Sequence, residues 1–89
     1  MVWHDYGYVV ASSHRMKVIR SLSSHPKTPK QISIEANLSL SHVSRALKEL
    51  LTKGLVSCVN PDEVKGRVYK LTEVGDRVAI VIERNHLQK

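Results

Sequence analysis

The chain has 89 residues, 42% of them hydrophobic and 25% charged, which is the length and composition of one small globular domain. Its formal net charge of +6 lies mainly in the first two thirds of the sequence and favours a negatively charged partner. The single cysteine excludes an intramolecular disulfide, and the longest apolar run, 78–82, is far shorter than the ~20 residues of a membrane span. We therefore expect one cytoplasmic domain over residues 1–89, with no signal peptide and no membrane partner.

Two helices are predicted in the first half of the chain. The first covers about residues 9–23, where apolar residues recur at helical spacing between basic ones. The second begins at Thr28, the expected N-cap, with Pro29 at the first helical position and Gln31 completing a capping box. Asn37 is expected to end this helix in the left-handed conformation.

A third helix is predicted over residues 40–53, after a turn in which Leu38 points inward. Ser39 is its expected N-cap, and the Lys53-Gly54 pair matches the preferences of a helix C-terminus. Apolar side chains recur at helical spacing and are expected to face the core. These are Leu40, Val43, Leu47, Leu50 and Leu51.

The last part of the chain predicts a hairpin and a helix. Two short runs rich in β-branched residues, 55–59 and 67–71, are separated by a segment with turn residues at both ends. Thr72 is expected to cap a last helix over residues 73–87. This order of elements predicts an α+β winged helix-turn-helix, with a three-helix core, a two-stranded wing hairpin and a C-terminal helix.

One face of the third helix carries hydrogen-bonding side chains and no acid. Short serines let a helix approach a DNA groove, Arg45 can donate two N–H groups to a guanine, and Lys48 suits a phosphate. Glu49, at the edge of this face, is expected to pair with Arg45 or Lys53. The residues within about 100° of one another are Ser41, Ser44, Arg45, Lys48 and Thr52, with His42 flanking them.

Two further segments are expected to contact DNA. The start of the second helix offers free N–H groups beside Thr28, Lys30 and Gln31, although capping is the expected main role of Thr28 and Gln31. In the wing, Lys65 and Arg67 suit phosphates or the minor groove, while two acidic residues reduce the charge of the tip. The predicted DNA-binding residues are Thr28, Lys30, Gln31, Ser39, Ser41, His42, Ser44, Arg45, Lys48, Lys65 and Arg67.

The terminal segments, about 6–23 and 73–87, are expected to form a homodimer. The run 78–82 is apolar around more than half of the helix circumference, which exceeds what one small core needs. Aromatic residues near the N-terminus suit the same interface, or alternatively fold over their own domain. The predicted interface residues are Trp3, Tyr6, Tyr8, Val78, Val81 and Ile82.

Over about residues 11–75, the sequence resembles the ArsR/MarR-type winged helix-turn-helix transcriptional regulators, especially compact archaeal members. The resemblance rests on SHRMKVIRSL, TPKQI, LSLSHVSRALKEL, KGLV and LTEVG, of which VSRALK is the most specific part. It implies DNA binding by the third helix and the wing, dimerisation through the terminal helices, and control of nearby promoters.

The sequence also departs from sensor members of these families. Metal-sensing members carry cysteine pairs or His/Asp/Glu pairs, whereas here the third helix has no cysteine and the last helix offers only Glu83 and His86. Members that sense small molecules usually have longer terminal helices. We therefore predict no metal site, no cofactor and no small-molecule effector.

An enzyme is not predicted. The sequence has no Ser/His/Asp arrangement, no paired carboxylates and no phosphate-cradling glycine loop, and its five histidines are scattered with no obvious partner. The preferred function is a sequence-specific regulator that binds double-stranded DNA, with helix 40–53 in the major groove and wing 55–71 on the backbone or minor groove. The alternative is a winged-helix module that binds protein or RNA.

Overall fold

The computed structural model describes the backbone of residues 2–87 and the side chains of residues 3–85. The chain ends included in the one-domain prediction, and the side chain of His86, lie outside these described residues. The fold is the predicted α+β winged helix-turn-helix. Its elements are α1 (Val2–Val10), α2 (Ser13–Leu22), α3 (Pro29–Ala36), α4 (Leu40–Thr52), β1 (Val56–Cys58), β2 (Tyr69–Leu71) and α5 (Glu73–Leu87).

The N-terminal region differs from the prediction of one helix over residues 9–23. Two helices, α1 and α2, are separated at Ser12, whose extended backbone and side-chain oxygen cap α2 through the N–H of Arg15 at 3.2 Å. The sequence of α1 is VWHDYGYVV, which consists of residues with low helix propensity. Packing against the rest of the fold therefore stabilises α1, and no local pattern could reveal it.

Gly7 lies inside α1, and no contact within this chain requires a glycine there, because a Cβ built at this position meets nothing within 4 Å. Alanine has a higher helix propensity, so we expect Gly7→Ala to raise the free energy of unfolding by ~0.5–1 kcal/mol in a urea titration. A lower stability in the variant would contradict this expectation and would indicate that a second molecule covers the position.

The two helices of the helix-turn-helix begin and end as predicted. Thr28 accepts a hydrogen bond from the N–H of Gln31 at 3.2 Å, and Gln31 Oε1 accepts one from the N–H of Thr28 at 2.8 Å. Asn37 ends α3 with φ 56° and ψ 50°, in the left-handed region. Ser39 caps α4 by accepting from the N–H of His42 at 3.2 Å. These caps fix the turn and therefore the angle between α3 and α4.

The core joins all five helices and the hairpin. Two leucines predicted to face it do not: Leu40 is 51% exposed and Leu51 is 39% exposed. At 100° per residue they lie ~20° apart, at the edge of the apolar face of α4, so their helical spacing overstated their burial. The buried hydrophobic residues are Val9, Val18, Ile19, Leu22, Ile32, Val43, Ala46, Leu47, Leu50, Leu55, Val56, Tyr69, Leu71, Val78 and Ile82.

The strands of the wing are shorter than predicted. They pair antiparallel with Val56 opposite Leu71 and Cys58 opposite Tyr69, so the tip of the hairpin covers residues 59–68. Lys27 adds an isolated bridge on the free edge of β2, where its backbone exchanges hydrogen bonds with Tyr69 at 3.0 and 2.8 Å. The wing is thereby held against the helices by backbone pairing on both sides of β2.

Lys27 is also a buried charge that the sequence analysis did not predict, with 1% of its surface exposed. Its ammonium group donates to the carbonyl of Ser21, to Ser24 Oγ at 3.0 Å and to Glu35 Oε1 at 2.8 Å. The hydrogen bond from Lys27 is the main reason why the pKa of Glu35 is lowered, and the Ser21 hydroxyl adds to this effect. Burial of the carboxyl opposes both.

Candidate nucleic-acid interface

The outer face of α4 is the centre of the candidate site. One side of the helix is buried, with Val43, Ala46, Leu47 and Leu50 at most 3% exposed. The predicted DNA-binding residues of this helix and its cap are all exposed on the other side. They are Ser39, Ser41, His42, Ser44, Arg45 and Lys48. The structure thus brings these six residues together on one surface.

The edge of this face differs from the prediction. Glu49 pairs with neither Arg45 nor Lys53, because its carboxylate accepts from the Arg15 guanidinium of α2 at 3.1 Å. Arg15 reaches it because its other N–H groups donate to the Tyr8 carbonyl at 2.7 and 2.9 Å, and its guanidinium lies 3.9 Å from the Tyr8 ring centre. Glu49 therefore binds α4 to α2 and leaves the charge of Arg45 available.

Two histidines that had no predicted partner meet beside this face. The rings of His14, in α2, and His42, in α4, are stacked with centres 4.2 Å apart and planes at 23°. They lie in a polar cleft of about 220 Å³ between the two helices. Its polar lining consists of Ser12, His14, Arg15, His42, Arg45 and Glu49. The histidines are distant in sequence, so only the packing of α2 on α4 reveals them.

The start of α3 presents fewer free groups than its sequence suggests. Thr28 Oγ1 and Gln31 Oε1 are used in the capping box, which agrees with their expected main role. Lys30 is exposed, and it forms no ion pair with the acidic side chains that the structure describes. Lys30 and the amide nitrogen of Gln31 are thus the side-chain donors that this helix end offers to a ligand.

In the wing, Arg67 has a structural role that the sequence did not predict. Its guanidinium donates to the carbonyls of Glu63 at 2.6 Å and Pro61 at 3.3 Å, so it folds back on the hairpin tip. Asn60 closes the same loop by accepting from the N–H of Val68 at 2.7 Å. Lys65, in contrast, is exposed at the tip. The two basic residues of the wing therefore differ in how freely they can reach DNA.

The predicted dimer interface needs a correction. Val78 and Ile82 are 0% and 5% exposed within the single chain, because they face the core from α5. They have almost no surface left for a partner. Tyr6 and Tyr8 are half-buried and pack against the core, as the alternative to an interface role predicted. Trp3 is 60% exposed, with its ring edge-to-face on Tyr6.

Within the part of the chain that the structure describes, no helix combines the length and apolarity needed to cross a membrane. Among the side chains that the structure describes, no group of three or more His, Cys, Asp or Glu could hold a metal ion.

Comparisons with solved structures identify the fold. NMB1585, a MarR family regulator from Neisseria meningitidis, shares 23% identity with a TM-score of 0.78, covering 86% of this chain and 56% of its own. The MarR family transcription regulator SP03579 shares 21% identity with a TM-score of 0.80, covering 98% and 59%. Lactococcus lactis ZitR, solved in complex with DNA, shares 22% identity with a TM-score of 0.77, covering 86% and 53%.

This chain therefore has the fold of MarR-family winged-helix regulators and spans a little more than half of the length of these solved structures. A search of curated proteins gives no match. The family profile described as the HVO_A0261 N-terminal domain matches residues 3–87. Since this match covers nearly all of the sequence, the chain belongs to the HVO_A0261 N-terminal domain family.

Proposed function

We propose that this chain is a sequence-specific, double-stranded DNA-binding regulator of transcription, with α4 in the major groove. The observation that carries the proposal is the exposed face of α4, where Arg45 and Lys48 stand among short serines and the nearest carboxylate, Glu49, is paired with Arg15. Such a face can approach base edges and attract phosphates. The likeness of the fold to ZitR, a protein solved in complex with DNA, supports DNA binding by this chain.

Within this proposal, each exposed donor has a role. Arg45 reads a guanine through two N–H groups, Ser41 and Ser44 contact bases or phosphates, and Lys48 contacts a phosphate. Lys30 contacts a phosphate at the start of α3. Lys65 at the wing tip reaches the backbone or the minor groove, whereas Arg67 contributes chiefly by shaping the tip that presents Lys65.

The proposal includes a homodimer, because helix-turn-helix dimers bind two half-sites and thereby read a longer DNA sequence than one recognition helix does. The exposed apolar side chains at the ends of the chain support this: Trp3 and Val10 on α1, and Val74 and Ile80 on α5. Val81 is half-buried and can still contribute. The regulator acts in the cytoplasm, performs no catalysis, and needs no effector for the contacts described.

The test is a fluorescence-anisotropy titration of random and selected duplexes at several salt concentrations. We expect Arg45→Ala to lose ~1–3 kcal/mol of binding free energy on the selected duplex and to relax its sequence preference. Lys48→Ala should weaken all duplexes alike and reduce the salt slope by about one. Arg20→Ala, which removes the same charge from an exposed position of α2 outside the proposed contacts, is the control and should bind like the wild type.

The alternative function, a module that binds protein or RNA, gives a different result in the same titration. Its duplex binding would be weak and insensitive to Arg45, and matched double-stranded RNA would bind as well as DNA. Equal losses for Arg45→Ala on selected and random DNA would instead contradict base reading by Arg45 and leave only electrostatic binding.

A further inference from the structure

We infer that the cleft between α2 and α4 is a second DNA contact, which binds one backbone phosphate beside the stacked rings of His14 and His42. This inference rests on the proposed function, because it concerns DNA already held by α4. His42 is one of the DNA-binding residues predicted from the sequence, whereas His14 has no predicted role. The stacked rings and their polar cleft give both residues a common position.

The first argument is that the cleft lies at the N-terminal turn of α2. Ser12, His14 and Arg15 line it from that end of α2, while α4 contributes one side, from His42 to Glu49. The His14 and His42 rings meet there with centres 4.2 Å apart. The positive end of the α2 dipole favours an anion at this point.

The second argument is the charge of the lining. Glu49 is the acid in the cleft, and its carboxylate is already bound by Arg15 at 3.1 Å. Among the described residues, Arg45 belongs to none of the ion pairs. The cleft thus keeps a positive charge and two imidazoles whose ring nitrogens can donate to oxygen.

The third argument is the position of the cleft relative to α4. His42 lies ~60° around the helix from Arg45, beyond the edge of the hydrogen-bonding face. When that face points into the major groove, a group beside it lies against the groove wall, which consists of the phosphate backbone. A phosphodiester is therefore the oxyanion that this cleft would meet. His42 is exposed and His14 is half-buried, so the ligand enters from the α4 side.

The stacked pair could also serve only to dock α2 on α4, and one variant separates the two roles. His14→Phe keeps an aromatic ring against His42 and removes both ring nitrogens. A purely structural pair would tolerate this change in a binding assay, whereas a phosphate site would not. His14→Gln, which keeps a donor and loses the stack, is the second variant. Thermal unfolding of each protein shows that it is folded before its binding is measured.

The decisive measurement is a double-mutant cycle, in which one change removes the His14 ring nitrogens and the other neutralises a single DNA phosphate. Duplexes with a single methylphosphonate at each position across the selected site are titrated by anisotropy with wild type, His14→Phe and the control His4→Phe. His4 is exposed on α1 and does not line the cleft. We expect one phosphate per half-site whose neutralisation weakens wild type on the order of 5- to 10-fold. His14→Phe should show the same loss of affinity on normal DNA, and that methylphosphonate should not weaken its binding further.

The inference would be overturned if His14→Phe bound normal DNA like the wild type. It would also be overturned if the affinity losses from His14→Phe and from the methylphosphonate multiplied when the two changes were combined. The proposed function would still stand if Arg45→Ala lost sequence preference in the same assay, so the two failures are distinguishable. Free inorganic phosphate is the other source of the same chemistry. Saturable shifts of the His14 and His42 ring protons with phosphate, together with no cycle on DNA, would overturn DNA as the ligand.

Discussion

Gly75→Ala is expected to destabilise the protein by at least ~2 kcal/mol and to lower its melting temperature by roughly 10 °C. A Cβ at this position would lie 2.1 Å from the carbonyl oxygen of Leu55 and 3.1 Å from its carbonyl carbon. Those atoms belong to the backbone at the start of the wing and cannot rotate away. The first turn of α5 would have to move off the hairpin, although alanine alone would favour the helix.

The displacement would also break the hydrogen bonds that fix the start of α5. The Thr72 N–H donates to the carbonyl of Leu55 at 3.0 Å, and the Thr72 hydroxyl donates to the carbonyl of Gly54 at 2.7 Å. Urea unfolding of Gly75→Ala and Gly7→Ala compares the same chemical change at a closed and an open site, with opposite expected signs. Wild-type stability in Gly75→Ala would mean that α5 lies further from Leu55 than the structure has it.

Features of the fold that depend on neighbouring residues in the chain are the ones that the sequence predicts correctly. The caps at Thr28, Asn37 and Ser39 are confirmed because each depends on groups within three or four residues along the chain. A propensity or a hydrogen-bond geometry over so short a range is visible in the sequence itself. These caps, with the order of elements, were enough to predict the winged helix-turn-helix.

The errors concern contacts between distant segments. Glu49 was expected to pair within its own helix, yet α2 supplies Arg15, whose side chain is positioned by Tyr8. The stack of His14 on His42 has the same origin. A single sequence carries no periodic signal for such pairs, because their positions depend on how the helices cross. Helix α1 was missed for the same reason.

The sequence predicts which residues the candidate site contains, but not which of their charged groups are free to contact DNA. Helical spacing predicts the exposed face of α4, because polar residues opposite an apolar stripe face the solvent in a small domain. Arg67 was predicted as a DNA contact on charge alone, and the structure gives its guanidinium two carbonyl partners in the wing. Charge in a sequence indicates attraction to DNA, while the fold decides which cations are already used.

Lys27→Ala is expected to cost about 3 kcal/mol of unfolding free energy, because it leaves a cavity and removes a donor from the buried carbonyl of Ser21. Lys27→Met removes the same donor but keeps most of the side-chain volume. It leaves the Ser21 carbonyl its hydrogen bond from Ser24 Oγ at 3.4 Å, and it leaves the half-exposed Glu35 free to be solvated. We expect it to cost less than ~1.5 kcal/mol, since an apolar residue of similar size often replaces a buried charge at little cost. Urea titrations of both variants give the comparison.

Acid provides the test that distinguishes charge from packing at Lys27. The pKa of Glu35 in the folded protein lies below its ordinary value of 4.5, mainly through the hydrogen bond from Lys27. The ionised carboxylate therefore adds stability above that ordinary value, and the contribution is lost as the pH falls through the lower, folded pKa. Lys27→Met lacks the largest part of this contribution and keeps only the part from the Ser21 hydroxyl, so its stability should fall less steeply on acidification than that of the wild type. Parallel pH dependences would mean that Lys27 is buried for its volume, with its ion pair to Glu35 contributing nothing.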